Sequence, residues 1–140
     1  MARVAALDFG KARIGLALSD ERQMIALPRA AILTKKTLEE TAAHVWRELL
    51  LLGPLQTIII GLPLFLNGKE SPMSTEVRSF AALLEKESNL PVVLRDERLT
   101  TAMGERMLKE ADVGHKKRKG VIDGISATIL LQNFLDSKHY

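Results

Sequence analysis

Three acidic positions in this sequence could carry metal-dependent chemistry. Asp8 closes a short apolar run that begins at Arg3, as expected of a buried strand that ends in a carboxylate. Asp96 and Glu97 follow a second apolar run. Alternation along a strand lets only one of these two side chains face the site, and the pattern alone does not choose between them.

Asp123 lies in the last apolar segment of the chain. On a helix its face is shared by the residues at intervals of three, four, seven and eleven, which are Ser126, Ala127, Leu130 and Phe134. That face points toward the protein. An unpaired buried carboxylate costs several kcal/mol, so a positive charge is expected close to Asp123.

The chemistry that suits converging carboxylates is hydrolysis assisted by Mg²⁺, with Mn²⁺ as a substitute. Two such ions about 4 Å apart offset the repulsion between the acids and clamp the attacking water and the leaving oxygen of a phosphodiester. The chain has no cysteine, so any metal must be held by oxygen or imidazole ligands, which favours a hard cation. The alternative for each acid is an ordinary turn or capping residue.

The bulk properties predict a single domain over residues 1–140. Of the 140 residues, 46% are hydrophobic and 26% charged, enough for an ordinary core. No apolar run approaches the ~18 residues that span a bilayer, and no signal-type segment opens the chain, so we expect a cytoplasmic protein without a membrane partner. The net charge of +3 fits a polyanionic partner.

One basic cluster stands out just before the last apolar segment. It consists of His115, Lys116, Lys117, Arg118 and Lys119. We interpret the lysines and the arginine as candidate phosphate contacts, with a solvated loop as the alternative.

The elements that must position the acids follow the order βββαβαβα, with one extra helix. Two hairpin-linked strands open the chain, and Pro28 puts the third strand at an edge. Thr37 and Ser71 are predicted caps of the first two helices. A helix after Thr100 or Thr101, a loop over residues 112–118 and a helix from Gly120 to Leu135 complete the chain. Right-handed crossovers then give a mixed five-stranded sheet with the first strand near its centre.

The segments around the acids resemble the bacterial YqgF/RuvX family over nearly the whole chain. They read ALDFGKARIGLALSD (6–20), IGLPLFLNG (60–68), DERLTT (96–101) and DGISATILLQ (123–132). That family is described as a Holliday junction resolvase and as the nuclease that trims the small-subunit ribosomal RNA precursor. The resemblance implies an α/β, ribonuclease H-like fold with helices flanking the sheet.

Carried over residue by residue, the resemblance makes Asp8, Glu97 and Asp123 the catalytic metal ligands, with Glu97 preferred to Asp96. It also implies nucleic-acid contacts at four further positions, with structural support as the alternative. These are Lys11, Arg13, Arg98 and Thr100.

Three positions depart from the family pattern and bear on substrate contacts more than on catalysis. Ala12 replaces a usually basic residue, for which Lys11 could compensate. Asn67 stands where an acid is common, and Ser126 stands at a usual alanine.

The resemblance implies a nucleic-acid partner, either precursor rRNA, met on pre-ribosomal particles, or branched DNA. We expect a monomer or a weak homodimer. Processing of the 5′ end of the 16S rRNA precursor is the function expected first, and resolution of four-way DNA junctions is the alternative. A non-catalytic nucleic-acid-binding module is a second alternative. An ATP-dependent phosphotransferase is disfavoured because such enzymes bind ATP between two domains of this topology, and 140 residues supply only one.

Overall fold

The protein is built on one five-stranded sheet, which a computed structural model describes for residues 2–97 and 115–138, with the last helix's side chains given from residue 124 onward. The strands are β1 (Arg3–Phe9), β2 (Arg13–Ser19), β3 (Ala26–Leu33), β4 (Leu55–Leu62) and β5 (Val92–Asp96). The helices are α1 (Leu38–Leu50), α2 (Pro72–Ser88) and α3 (His115–Lys138).

The strands lie in the order β3-β2-β1-β4-β5. Both hairpin pairs, β1 with β2 and β2 with β3, are antiparallel, whereas β1 with β4 and β4 with β5 are parallel. The sheet is therefore mixed, with β1 at its centre, as predicted. Strand β3 is at the edge, where the missing N–H of Pro28 is tolerated.

The capping residues predicted for the first two helices are confirmed. Thr37 precedes α1, and its hydroxyl oxygen accepts a hydrogen bond from the backbone N–H of Glu40 at 3.1 Å. Ser71 and Ser74 form a reciprocal capping box at the start of α2, where Pro72 takes the first turn. Each cap satisfies donors that the helix itself cannot pair, which fixes where the helix begins.

The two faces of the sheet carry separate cores. Helices α1 and α2 cover one face, where Leu7 of β1 and Ile60 of β4 pack with Phe80 of α2. Helix α3 covers the other face. There the buried residues are Val4, Ala6, Ala17, Ala26, Ile59, Ala127, Leu130, Leu131 and Leu135. Alternate residues of each central strand thus face different helices.

Helix α3 begins earlier than predicted. It starts at His115 rather than Gly120, so the prediction of a loop through Arg118 is wrong for residues 115–118. Lysine and arginine are good helix formers. The basic run before Gly120 therefore forms the first turns of the helix and not a loop that precedes it. The helix predicted after Thr100 lies outside the described residues. Within residues 2–97 and 115–138, no helix has the length and apolar character needed to cross a membrane.

The side chain of Gln132 ties α3 to the edge of the sheet. The Gln132 carbonyl oxygen accepts a hydrogen bond from the backbone N–H of Ala26 at 2.9 Å, and its amide nitrogen donates to the carbonyl oxygen of Met24 at 2.9 Å. Because these backbone atoms lie at the first residue of β3 and two residues before it, the two bonds fix the position of α3 along the sheet.

Candidate metal and nucleic-acid site

Asp8 lies on the sheet face that α3 covers. It is separated by even steps from Val4 and Ala6, which pack against that helix. Its antiparallel partner on β2 is Gly15, and the parallel register with β4, which pairs Leu7 with Ile60, continues to Gly61 on the other side. Because both of these partners are glycines, β2 and β4 contribute no side chain of their own beside Asp8 at this level of the sheet.

Glu97 occupies the space above Gly61. Its backbone N–H donates to the carbonyl oxygen of Leu62 at 3.4 Å, so the end of β5 continues along β4. A Cβ atom added to Gly61 would lie 2.3 Å from Oε2 of Glu97 and 3.2 Å from its Cβ. The Glu97 side chain therefore lies over β4, between β5 and the central strand that carries Asp8.

The structure separates Asp96 from Glu97. Val93 packs in the core beneath α3, and the guanidinium carbon of Arg95 lies 5.5 Å from the ring centroid of Phe134 on that helix. The odd-numbered positions of β5 thus face α3, and Glu97 continues that series. Asp96 points to the opposite face and is exposed, whereas Glu97 is only 9% exposed.

Gly61 leaves the space above β4 open to a close approach. In the structure the close approach is made by the chain itself, because the Glu97 carboxylate fills the space that a side chain would need. Gly10 behaves similarly, since a Cβ there would lie 2.6 Å from the carbonyl oxygen of Arg13. Both glycines therefore serve the internal geometry of the site.

The donor set fits a hard divalent cation. Asp8 and Glu97 bring carboxylate oxygens to one sheet face, and Oε2 of Glu97 is buried, which is costly for an anion unless a cation is near. Among the described side chains, no three histidines or acids form a metal-holding group. The third predicted ligand, Asp123, has its backbone in α3, one turn before Ala127, and its side chain lies outside the described set.

The predicted nucleic-acid contacts are only partly described. Lys11 and Arg13 are exposed and lie where β1 turns into β2, at the sheet end that carries Asp8. Thr34 holds this turn, with its hydroxyl donating to the carbonyl oxygen of Lys11 at 2.8 Å. For four others, Lys116, Lys117, Arg118 and Lys119, only the helical backbone is described. Arg98 and Thr100 lie outside the described residues.

Ser126 is a buried polar residue whose environment the sequence pattern did not reveal. It is 2% exposed, and its hydroxyl has no hydrogen-bond partner among the described residues. Thr128, two positions on, donates instead to the carbonyl oxygen of Gly124 at 2.7 Å. Only its place on the inward helical face marked Ser126 as a residue near the sheet.

The chain is similar in sequence to known proteins over almost its whole length. The model of the RuvX family, described as a Holliday junction resolvase, matches residues 2–137. A protein of Protochlamydia amoebophila named "Putative pre-16S rRNA nuclease" is 43% identical over 97% of this chain and 94% of its own length. A protein of the same name from a Geobacillus strain is also 43% identical, over 97% of this chain and 99% of its own length.

Solved structures share the fold at low sequence identity. The fowlpox virus Holliday junction resolvase covers 96% of this chain and 99% of its own, with a TM-score of 0.57 and 17% identity. RuvC of Thermus thermophilus, in complex with a Holliday junction substrate, covers 99% and 96%, with a TM-score of 0.56 and 14% identity. The likeness confirms the ribonuclease H-like fold.

Proposed function

The chain belongs to the RuvX family and is a nuclease, and we propose that it hydrolyses nucleic-acid phosphodiester bonds with Mg²⁺ or Mn²⁺ held by Asp8, Glu97 and Asp123. One observation carries the assignment of the site. The carboxylate of Glu97 is buried over Gly61, on the sheet face and at the sheet end that carry Asp8. Two acids gathered there repel each other unless a cation is bound between them.

Each described residue of the site has a separate task in this proposal. The Asp8 and Glu97 carboxylates supply oxygen ligands from two strands that are rigidly spaced by β4 between them. Lys11 and Arg13 are exposed at the same end of the sheet. They contact phosphates of the nucleic-acid backbone and so position the nucleic-acid strand. When bound, a divalent cation stabilises the negative charge that develops on the phosphate during in-line attack by water.

We propose the precursor of the small-subunit rRNA as the substrate, cleaved near its 5′ end and met on pre-ribosomal particles in the cytoplasm. Two relatives that share 43% of their residues with this chain, over nearly full length, carry that substrate in their names. The family's description favours a four-way DNA junction as the second candidate.

The test compares Asp8→Asn and Glu97→Gln with the unaltered chain on a labelled precursor-rRNA fragment and on a labelled four-way DNA junction. Loss of a metal ligand removes several kcal/mol of transition-state stabilisation, so both variants should cleave about a thousandfold more slowly or not at all. Asp96→Asn is the matched control, since this neighbouring acid is exposed on the opposite face. It should cleave at the normal rate.

The outcomes separate the candidate functions. Equal cleavage by Asp8→Asn and the unaltered chain, with both folded by circular dichroism, would refute this site. Absence of cleavage by any form, with binding retained, would favour a non-catalytic binding module. Competition between the RNA and the junction in one reaction decides which substrate the enzyme prefers.

A further inference from the structure

The segment after β4 forms a tight turn beside the proposed site. Strand β4 ends at Leu62, whose carbonyl oxygen accepts the hydrogen bond from Glu97, so the following residues leave the sheet next to that acid. The far end of the segment is tied back as well, because the Ser71 hydroxyl donates to the carbonyl oxygen of Pro63. The turn thus stands at the sheet end that carries the carboxylates.

The turn is held by its own hydrogen bonds. The N–H of Phe65 donates to the carbonyl oxygen of Lys69 at 3.0 Å, and the N–H of Gly68 donates to that of Phe65 at 2.8 Å. Gly68 has φ +86°, the left-handed conformation that completes a three-residue loop of this kind. The Asn67 side chain accepts from the N–H of Lys69 at 2.9 Å. These hydrogen bonds give the tip of the turn a fixed shape.

That fixed tip presents apolar side chains to solvent. Phe65 is 52% exposed and Leu66 is 92% exposed. The other three phenylalanines are placed differently, since Phe9 and Phe80 pack together in the core with ring centroids 4.8 Å apart and Phe134 lies against Arg95. Phe65 and Leu66 are adjacent in the chain and both exposed, so the tip of the turn keeps apolar surface in contact with water.

We propose that Phe65 and Leu66 form a wedge that packs against a nucleobase of the substrate where its stacking is interrupted near the cleaved bond. The proposal rests on the nuclease function argued above. Apolar side chains on a rigid loop insert between base steps or stack on an unstacked base, independently of base identity. Such a wedge would favour substrates with a branch or an unpaired base over continuous duplex.

The charge of the turn suits a polyanion. Lys69 lies three residues after Leu66, and Asn67 and Gly68 between them are uncharged. Glu70, the acid that follows Lys69 in sequence, accepts two hydrogen bonds from Arg78 at 2.7 and 3.0 Å. Within the turn itself, the one acid is therefore already paired when a nucleic-acid strand approaches.

The test measures binding in EDTA, so that no cleavage occurs. The probes are a four-way DNA junction with 2-aminopurine at the branch point and a continuous duplex of equal length. Leu66→Ser and Phe65→Ser should each weaken junction binding about tenfold, reduce the fluorescence change, and leave duplex binding unaltered. Leu51→Ser is the matched control, because Leu51 is 80% exposed before β4, at the opposite end of that strand.

Junction affinities of Leu66→Ser and Phe65→Ser equal to that of Leu51→Ser would overturn the wedge. Equal weakening on junction and duplex would overturn it too, because a general contact would then explain both. Failure of the proposed function is read separately, from cleavage by Asp8→Asn in Mg²⁺. The EDTA binding result keeps its meaning in either case.

Discussion

The two faces of the sheet differ in the size of what they bury. Large side chains fill the face beneath α1 and α2, among them Phe80, Leu7 and Ile60. Beneath α3, three of the buried sheet residues are alanines, Ala6, Ala17 and Ala26, and at the end that carries Asp8 the side chains give way to Gly15 and Gly61.

Because of this difference, one face of the sheet mainly stabilises the fold and the other carries the proposed site. Large interlocking side chains give most of the burial free energy, so the α1 and α2 face acts as the main core. The α3 face gives up side-chain volume, and the space is occupied by carboxylates that would be intolerable in a tightly packed apolar layer. Substitutions on the two faces should therefore change different measured quantities.

The largest expected effect is on the first face. Phe80→Ala removes a fully buried aromatic ring in contact with Phe9 and should lower the free energy of unfolding by about 3–5 kcal/mol. Urea unfolding followed by circular dichroism measures this loss. At a temperature where the variant is still folded, its cleavage rate should match that of the unaltered chain. A folded but inactive Phe80→Ala would contradict the separation of the faces.

The next effect is on the second face. Gly61→Ala puts a methyl group 2.3 Å from Oε2 of Glu97, so this carboxylate must leave its present position. A misplaced ligand reduces the stabilisation that the metal gives to the transition state. The rate of cleavage should therefore fall about a hundredfold. The metal concentration for half-maximal rate should rise. Normal cleavage by a folded Gly61→Ala would show that the position of Glu97 is unimportant.

Gly124→Ala is the matched control for that substitution. A Cβ at Gly124 meets no atom within 4 Å, and the residue lies inside helix α3. Alanine there should raise the free energy of unfolding by about 0.5–1 kcal/mol, because glycine loses more backbone entropy in a helix. Urea unfolding gives the sign of the change. Cleavage by Gly124→Ala should be unchanged, and an equal fall in cleavage at both glycines would mean that the Glu97 carboxylate does not explain the effect of Gly61→Ala.

The smallest expected effect lies in the turn between β2 and β3, away from both faces. Hydrogen bonds from the backbone N–H groups of Ile25 and Met24 hold the pKa of Asp20 below its usual value. The stabilisation is therefore complete above about pH 4, the usual range of a free aspartate, and is lost as pH falls through the lower pKa of the folded state.

Asp20→Asn removes this dependence while keeping an acceptor oxygen. The difference in urea midpoint between Asp20→Asn and the unaltered chain should shrink as the pH is lowered below about 4. A difference that stays constant with pH would mean that the charge of Asp20 contributes nothing. Cleavage should be unaffected.

Local chemistry made much of the fold predictable. Thr37 and Ser71 predict where two helices begin, because a capping side chain bonds to a backbone group only three residues away. The β-branched run before Gly61 reads as a strand buried on both faces, and Pro28 places β3 at an edge. These features depend on neighbours in sequence, so one sequence suffices to read them.

The remainder depends on neighbours in space. Choosing Glu97 over Asp96 requires the phase of β5 relative to α3, which Val93 and Arg95 reveal only once the strand is paired. The reason for Gly61 lies with a side chain on the next strand. The sequence alone also did not predict the wedge at Phe65 and Leu66, because the exposure of an apolar residue can be determined only when the core is known.

The hydrogen bonds of Gln132 also affect how the protein behaves among its own copies. In an edge strand, alternate residues direct N–H groups outward, where a strand of another molecule could pair with them. Along β3 the Ala26 N–H is already occupied by Gln132, and two positions on Pro28 has no N–H to offer. An incoming strand would find two consecutive donor positions closed. Sheet-to-sheet aggregation at this edge is thereby opposed by the same contact that seats the last helix.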